Sequence, residues 1–310
     1  MTRTLVDRIT GALLYEGYML YPYRRSAVKN RQRFNFGVVY PEAHSRAEAG
    51  RDPCEMRTEC LLRAGPGTRV EVTVRFLHLF ARAAAHGEPE WHEAVERDIT
   101  LSATLGELVT APRYLAFAPP AGDVPGRQVA LQGQVSIGAE RATADVVRLR
   151  VTVVNRTPLA TSGESGRDEL MLRSLVSAHT ILRTTGGEFL SLTDPPEGLR
   201  GVAEACRNVG TWPVLAGEDG ARDTMLSSPI IVSDFPAIAP ESPGDFFDGT
   251  EMDEMLSLRI LTLTDEEKRE MAASDERARR LLERTEAFGP EQLMRMHGVL
   301  RQIRSLEEAP

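Results

Sequence analysis

The chain has 310 residues, of which 42% are hydrophobic and 26% are charged, and its formal net charge is −8. This composition is typical of a globular protein with a core of normal size, and the length suits two or three domains. The acidic balance argues against a general nucleic-acid-binding protein, because phosphate contacts require a basic surface.

The sequence also predicts where the protein resides. No apolar run approaches the roughly 20 residues that a membrane span needs, and the first residues lack the apolar region of a signal peptide. The three cysteines, Cys54, Cys60 and Cys206, are an odd and sparse set, which is typical of a reducing cytoplasm. We therefore expect a cytoplasmic protein with no membrane span.

Four of the six tyrosines lie within nine residues near the start of the chain, from Tyr15 to Tyr23. A basic stretch without acidic residues follows them, from Arg24 to Arg33. Tyrosine and arginine provide large contact areas and bidentate hydrogen bonds at recognition surfaces; the alternative is an edge strand with a solvated basic loop. We expect this Tyr–Arg segment to bind a partner, through Tyr18, Tyr21, Tyr23, Arg24, Arg25 and Lys29.

A first β-hairpin is predicted after this segment. Apolar residues recur with a period of two from Val70 to Phe76, which is typical of a strand with one buried face. Gly65-Pro66-Gly67 is a turn signal, and Thr58–Ala64 supplies the partner strand of the hairpin.

A second hairpin follows the same logic. Alternating apolar residues fill Val129–Ile137 and Val147–Val153, on either side of a turn predicted at Gly138–Glu140. Arg148 and Arg150 face the other way, so one side of this sheet is expected to be solvated.

The pattern changes after the small polar residues 161–166. Glu169–Val176 is predicted to be a helix, and His179–Arg183 and Glu188–Leu192 are predicted to be short strands about Gly186-Gly187. Four prolines between residues 229 and 243 forbid a long regular element and predict an extended segment.

Trp212 lies beside a proline in a predicted loop. A tryptophan in a loop either plugs the core or anchors a partner. We favour the plug, because tryptophan is highly buried on average.

The last region is predicted to be helical. Thr264 and Glu267 have the spacing of a capping box, in which the threonine hydroxyl and the glutamate side chain bond reciprocally to backbone amides. A stripe of apolar residues from Leu293 to Ile303 recurs at helical spacing and would pair two copies of the chain if it lies on the surface.

These patterns predict an α+β protein. Its N-terminal half is an antiparallel β-sandwich or open-barrel-like sheet, and a mixed α/β segment and C-terminal helices follow. The predicted boundaries are a β-rich domain at residues 1–160, a mixed α/β segment with the proline-rich stretch at 167–248, and a helical region at 249–310.

The chain contains no standard catalytic motif, so catalytic residues stay unassigned. Cys206 lies on the apolar face of a predicted helix and is expected to be a buried structural thiol. The spacing of Cys54 and Cys60 does not fit a compact zinc cluster, although His44 would be a further ligand if one formed. We predict no metal site and no cofactor.

Two histidines have different expectations. His78 shares a face with the apolar residues before it and is expected to be a hydrogen-bonded core residue. His179 begins a predicted strand and would serve as a base in an enzyme, but the sequence shows no partner for it.

Four segments resemble an uncharacterised bacterial protein family that is associated with gene clusters for oxygen-tolerant uptake [NiFe]-hydrogenases. The resemblance spans most of the chain, and the segments that carry it are Tyr15–Arg31, Leu226–Ile231, Ala239–Asp245 and Thr262–Lys268. It implies a biological context and no mechanism, because these motifs have no assigned chemistry.

The sequence therefore predicts a non-catalytic accessory protein for the assembly, maturation or scaffolding of a [NiFe]-hydrogenase, whose partners are hydrogenase subunits or maturation factors. The alternative is an enzyme of unknown reaction that binds an anionic small molecule between its two halves. In that case Arg24, Arg25 or Lys29 would hold the anion, and His179 or Cys206 would perform the chemistry.

Overall fold

The computed structural model describes residues 2–19, 23–24, 27, 30, 33–82, 91–159, 166–238, 253–289 and 291. The chain forms two compact units, each assembled from separate stretches. The larger, β-rich unit consists of residues 1–15 and 34–237, and the smaller, helical unit consists of residues 16–33 and 238–310.

The described helices are short and the described strands vary widely in length. The helices are α1 (Thr2–Leu14), α2 (Glu42–Ala47), α3 (Leu105–Thr110), α4 (Arg167–Met171), α5 (Arg200–Glu204), α6 (Asp253–Leu261), α7 (Asp265–Ser274) and α8 (Glu276–Glu286). The strands are β1 (Glu55–Arg82), β2 (Trp91–Thr104), β3 (Arg113–Phe117), β4 (Arg127–Gln128), β5 (Gly133–Arg141), β6 (Val146–Asn155), β7 (Val176–Leu190), β8 (Trp212–Leu215) and β9 (Thr224–Ser228). No helix among the described residues is long and apolar enough to cross a membrane.

The nine described strands belong to one antiparallel sheet in the order β3-β5-β6-β1-β7-β9-β8, with β2 and β4 also paired to β1. The sheet is not closed, and the C-terminal region supplies the helices α6 to α8. The predicted α+β class, with a large antiparallel sheet in the N-terminal half, is therefore confirmed.

The first predicted hairpin is wrong, because β1 runs without interruption through Gly65-Pro66-Gly67. Along one edge, β1 pairs with β6 up to Arg63 and with β2 from Arg69 onward. The glycine–proline stretch lies between the part of β1 that pairs with β6 and the part that pairs with β2. Because Pro66 has no partner strand on this edge, its lack of an N–H group removes no hydrogen bond from the sheet there.

The glycine–proline stretch of β1 also explains why β7 is one continuous strand, whereas two short strands were predicted. The pairing of β1 with β7 shifts register between Ala64 and Arg69. Gly186, which has a φ of +83°, lies opposite this shift, and its carbonyl accepts a hydrogen bond from the Thr68 hydroxyl at 2.7 Å. Glycine is suited to such a bulge because it adopts positive φ without a steric penalty.

The remaining corrections in this half concern boundaries. The hairpin of β5 and β6 is confirmed, but its turn lies at residues 142–145, after the predicted position. The helix predicted at Glu169–Val176 is only the short α4, because Val176 already begins β7.

One face of the sheet, which we call the core face, carries the main hydrophobic cluster. Val147, Leu149, Val151 and Val153 of β6 all lie in it, together with apolar residues from the other long strands and from α3. Arg148 and Arg150 lie on the opposite, outer face, as the alternation predicted. Helix α1 packs on the outer face of β7 and β9, and Asp7 lies 3.5 Å from a guanidinium nitrogen of Arg75.

The edge strand β8 is closed to further strand pairing. Pro213 has no amide to offer, and the Leu215 amide donates to the Asp234 carboxylate at 2.8 Å. The Leu215 carbonyl accepts from the Phe235 amide at 2.8 Å. Such devices protect a sheet edge from adding a foreign strand.

The helical unit confirms the capping box. Thr264 accepts a hydrogen bond from the Glu267 amide, and the Glu267 carboxylate accepts one from the Thr264 amide. Asp275 caps the next helix by accepting from the Ala278 amide at 2.9 Å. The apolar stripe at residues 293–303 lies outside the described residues.

Candidate functional site

Two of the described tyrosines of the Tyr–Arg segment, Tyr18 and Tyr23, belong to the helical unit, whereas Tyr15 belongs to the β-rich unit. Tyr18 is buried, and its hydroxyl donates to the Asp275 carboxylate at 2.9 Å. The guanidinium of Arg33 lies over the Tyr18 ring, 5.0 Å from its centroid, and donates to the Tyr18 carbonyl. Tyr23 is also fully buried and has a positive φ of 55°, so the packing around it holds a strained backbone.

Arg24 joins the same segment to α7. Its guanidinium lies 3.2 Å from the Glu267 carboxylate and 3.6 Å from that of Glu270, and its side chain is 26% exposed. The hydrogen bonds of Glu267 to Thr264 lower the pKa of that carboxyl, and Arg24 adds to the effect. The capping box therefore presents an ionised carboxylate to Arg24.

The structure therefore describes only some of the residues that were predicted to bind a partner. Tyr18, Tyr23 and Arg24 belong to the helical unit, whereas Tyr21, Arg25 and Lys29 lie outside the described residues. Tyr18 joins the segment to Asp275 inside the unit, Tyr23 is fully buried, and the Arg24 side chain is partly exposed. Their contact with a partner stays a prediction.

Exposed hydrophobic side chains lie around Pro229 in the β-rich unit. Trp212 is 45% exposed and pairs in register with Ser228, and Ile231, two residues beyond Pro229, is 71% exposed. Phe36 is 45% exposed and precedes Gly37, whose backbone lies against the Pro229 ring. We call Phe36, Trp212 and Ile231 the Pro229 corner.

The corner corrects the prediction for Trp212. The indole does not plug the core, because it belongs to the first residue of the edge strand β8 and projects from the outer face of the sheet. The alternative role as a recognition anchor is compatible with this exposure.

His179 has a partner that the sequence did not indicate. Its Nδ1 lies 2.8 Å from the Ser177 carbonyl, which can only accept, so this nitrogen carries the proton. Its Nε2 then accepts from the Ser228 hydroxyl at 3.2 Å, and the Ser228 oxygen accepts from the Ile230 amide at 3.0 Å. The adjacent strands β7 and β9 bring these residues together.

This serine–histidine pair has the connectivity of a nucleophile and base but not the environment. Both side chains are fully buried, and burial is the main cause that lowers the pKa of His179 to about 4. The positive charge of Arg75 lowers it further. The pair is therefore a buried neutral hydrogen-bond chain in this structure. His78 is likewise a satisfied core residue, as predicted, since its Nε2 lies 2.7 Å from the Val129 carbonyl.

Cys60 is buried in the core, whereas Cys54 and Cys206 are partly buried. Cys206 packs with Leu199, Val202 and Ala203 in a small cluster on the outer face, but it lies after the end of α5 and is only partly buried, which corrects the prediction of a buried thiol on a helix. Burial and the charge of Glu59 raise the pKa of the Cys206 thiol to about 11, so it is protonated at neutral pH. Among the residues that the structure describes, no three His, Cys, Asp or Glu side chains form a group that could hold a metal ion.

A groove of about 1030 Å³ opens where the register of β1 shifts. Its walls come from the β1 irregularity, from α3, from the turn between β5 and β6, and from the glycines of β7. The Arg63 side chain in this groove already donates to the Asp145 carboxylate at 3.0 Å.

Comparison with protein-family models and with curated proteins identifies no relative of this chain. No protein-family model matches the chain, and no curated protein is significantly similar to it in sequence. The resemblance to the hydrogenase-associated family therefore remains a prediction.

Proposed function

We propose that this chain is a non-catalytic accessory protein that acts in the cytoplasm in the assembly, maturation or scaffolding of a [NiFe]-hydrogenase. The observation that carries the proposal is the exposure of Trp212 and Ile231. Both lie at the Pro229 corner, which includes the end of Leu226–Ile231, one of the segments that carry the family resemblance.

Exposed tryptophan and isoleucine side chains favour a docking role. Large apolar side chains that gather on a surface typically mark interaction sites, and tryptophan is enriched among the residues that contribute most to binding. Because Pro213 and Asp234 close the edge of β8, a partner would meet the side chains at this corner and would not extend the sheet.

The two candidate catalytic residues, Cys206 and His179, have properties that support a non-catalytic role. Cys206 has a raised pKa and His179 a lowered one, and both shifts are dominated by burial. A reactive cysteine needs a lowered pKa and a general base needs access to its substrate. Neither residue meets its condition in this structure.

The Tyr–Arg segment enters the proposal as a second contact. Arg24, at the surface of the helical unit, would contact the partner together with Arg25 and Lys29. Tyr18 would support this contact from inside, because its hydroxyl fixes the segment to Asp275, the N-cap of α8.

The test is a pull-down of the tagged protein from its native cells at low salt, with mass spectrometry as the readout. We expect hydrogenase subunits or maturation factors at near-stoichiometric yield. A preparation that is free of these proteins would refute the proposal and favour the enzyme alternative. For that alternative, an anionic metabolite should raise the melting temperature.

Three variants locate the binding surface. Replacing Trp212 with alanine should reduce recovery of the partner by about tenfold or more if the indole is a buried anchor in the complex. Arg25→Ala with Lys29→Ala tests the second contact without breaking the ion pairs of Arg24. Arg141→Ala is the matched control, since it removes an exposed arginine of the β-rich unit outside both surfaces. Equal recovery in all variants would exclude both surfaces.

The apolar stripe from Leu293 to Ile303 gives a further prediction about assembly. We propose that it pairs two copies of the chain, and sedimentation of the purified protein should then show a dimer. A monomer both alone and with the partner would rule out this role.

A further inference from the structure

A small pocket on the outer face of the sheet shares no lining residue with the Pro229 corner or with the groove at the β1 irregularity. Its volume is about 250 Å³, and it is formed by β3, β5 and β6. Its lining includes Tyr114, Gly138, the two arginines Arg148 and Arg150, and one carboxylate, that of Glu140.

The pocket exists because residue 138 is glycine. In the antiparallel register Gly138 lies directly opposite Arg150, and Ser136 lies opposite Tyr114. Directly opposed residues project side chains on the same face, so the missing side chain leaves a hollow beside the Arg150 stem. A Cβ atom at Gly138 would lie 3.5 Å from Pro112, an ordinary contact distance. An alanine at this position would therefore fit without a clash and would take up space at the base of the pocket.

A buried carboxylate orients the arginine at this pocket. Glu59 is 1% exposed, and its Oε1 accepts from the Arg150 Nε at 2.6 Å. Its other oxygen accepts from the Arg207 amide at 2.8 Å. Arg150 is thus held through Nε alone, and no described residue accepts a hydrogen bond from its two terminal nitrogens. These nitrogens belong to a side chain that is 55% exposed.

Arg148 adds a second positive charge, and one of its terminal nitrogens donates to the Ala205 carbonyl at 3.3 Å. Its terminal nitrogens lie 3.9 Å from the Glu59 carboxylate and 4.0 Å from the exposed Glu140. Its Nε is buried and has no hydrogen-bond partner within the described part of the chain. Because this nitrogen is buried, Arg148 would act on a ligand in the pocket mainly through its charge.

The geometry points to a binding site for the carboxylate or phosphate group of a small organic molecule. Guanidinium groups bind both anions through paired N–H donors. Tyr114 is 63% exposed at the rim, and its ring offers a flat surface to an aromatic part of the ligand. The volume is slightly below the usual range for small-molecule sites, which favours a ligand of few atoms. This inference does not rest on the proposed accessory function.

The test is isothermal titration of the whole protein with two probes, inorganic phosphate and benzoate, at constant ionic strength. We expect at least one probe to bind with a dissociation constant below about 10 mM. If neither phosphate nor benzoate gives a heat of binding at concentrations up to about 10 mM, the inference is wrong. Binding of phosphate but not benzoate would identify a phosphate site, and the reverse would identify an aromatic carboxylate site.

Variants connect the binding to this pocket. Gly138→Val should weaken binding by about tenfold or more because the valine side chain occupies the base of the pocket. Gly138→Ala should give a smaller loss of affinity. Replacing Arg150 and Glu59 together by glutamine removes the guanidinium group and does not leave the Glu59 carboxylate buried without its partner. This double variant should also weaken binding by about tenfold. Tyr114→Ala should weaken benzoate more than phosphate.

Arg113→Gln is the matched control. Arg113 is exposed on the same strand as Tyr114, but its cross-strand neighbour is the core residue Ile137, so it belongs to the other face. Its loss should change affinity by less than about twofold, since only long-range charge is altered. If Arg113→Gln weakens binding as much as Gly138→Val does, the anion binds elsewhere and the assignment to this pocket is overturned.

Discussion

The buried state of His179 predicts a specific loss of stability in acid. The imidazole is completely buried and its folded pKa is about 4, compared with 6.5 for an unburied histidine. Each pKa unit corresponds to about 1.36 kcal/mol, so the difference is worth about 3 kcal/mol of unfolding free energy. The lowered pKa determines the direction of the change. Above pH 6.5 neither state binds the proton and the contribution is complete.

As the pH falls from 6.5 towards 4, the His179 imidazole becomes protonated in the unfolded chain but stays neutral in the folded chain. The free energy of unfolding therefore decreases through this window, by about 2.5 kcal/mol between pH 7 and pH 4.5. Other groups titrate in the same range, so the quantity to measure is the difference between the native protein and a His179→Gln variant.

Urea denaturation followed by tryptophan fluorescence suits this measurement. Both tryptophans, Trp91 and Trp212, lie in the β-rich unit, so the signal reports the unit that contains His179. Ser228→Ala is the control, because it removes the hydrogen bond to Nε2 and keeps the titrating ring. We expect Ser228→Ala to retain the pH dependence and His179→Gln to lose it. Equal pH dependence in the native protein and in His179→Gln would refute the argument.

Three further predictions follow from packing, capping and thiol burial. Gly133→Ala should destabilise the β-rich unit by about 2 kcal/mol in urea denaturation, because the new Cβ would lie 2.2 Å from the Phe117 ring; Gly65→Ala, with nothing within 4 Å, should be nearly neutral, and equal effects would contradict the packing. Thr264→Ala should cost the helical unit about 1 kcal/mol through loss of its cap, measured by circular dichroism at 222 nm, and an unchanged transition would show that the cap contributes nothing. Cys206 should react with iodoacetamide about 100-fold more slowly than a free cysteine at pH 8, because its pKa is raised to about 11; alkylation at the free rate, seen by peptide mass spectrometry, would disprove its burial.

Local patterns predicted the parts of the fold in which the sequence signal and the packing agree. The period of two in Val147–Val153 located β6 and its buried face, and the Thr264 capping box located the start of α7. Turn signals failed where long-range pairing dominates. Gly65-Pro66-Gly67 and Gly186-Gly187 have the composition of turns, but they face each other across the register shift of β1 and β7.

The candidate sites were harder to predict for the same reason. His179 and Ser228 are 49 residues apart in the chain, and only the register of β7 and β9 brings them together. The outer-face pocket depends on a missing side chain at Gly138 and on a buried Glu59, neither of which is visible in local composition. The ion pairs of Arg24 with α7 join residues separated by more than two hundred positions, which no short window detects.

The central position of β1 has a consequence for how the protein folds. This strand emerges early during synthesis, but its pairing partners extend from β2 to the end of β7 at Leu190. The loops that must close before β1 is paired on both edges are long, and such topologies fold slowly. Until β7 has been synthesised, the long apolar β1 keeps an unpaired edge, which is a hazard for aggregation. The nascent chain should therefore depend on chaperones for longer than a protein of equal length with local pairing.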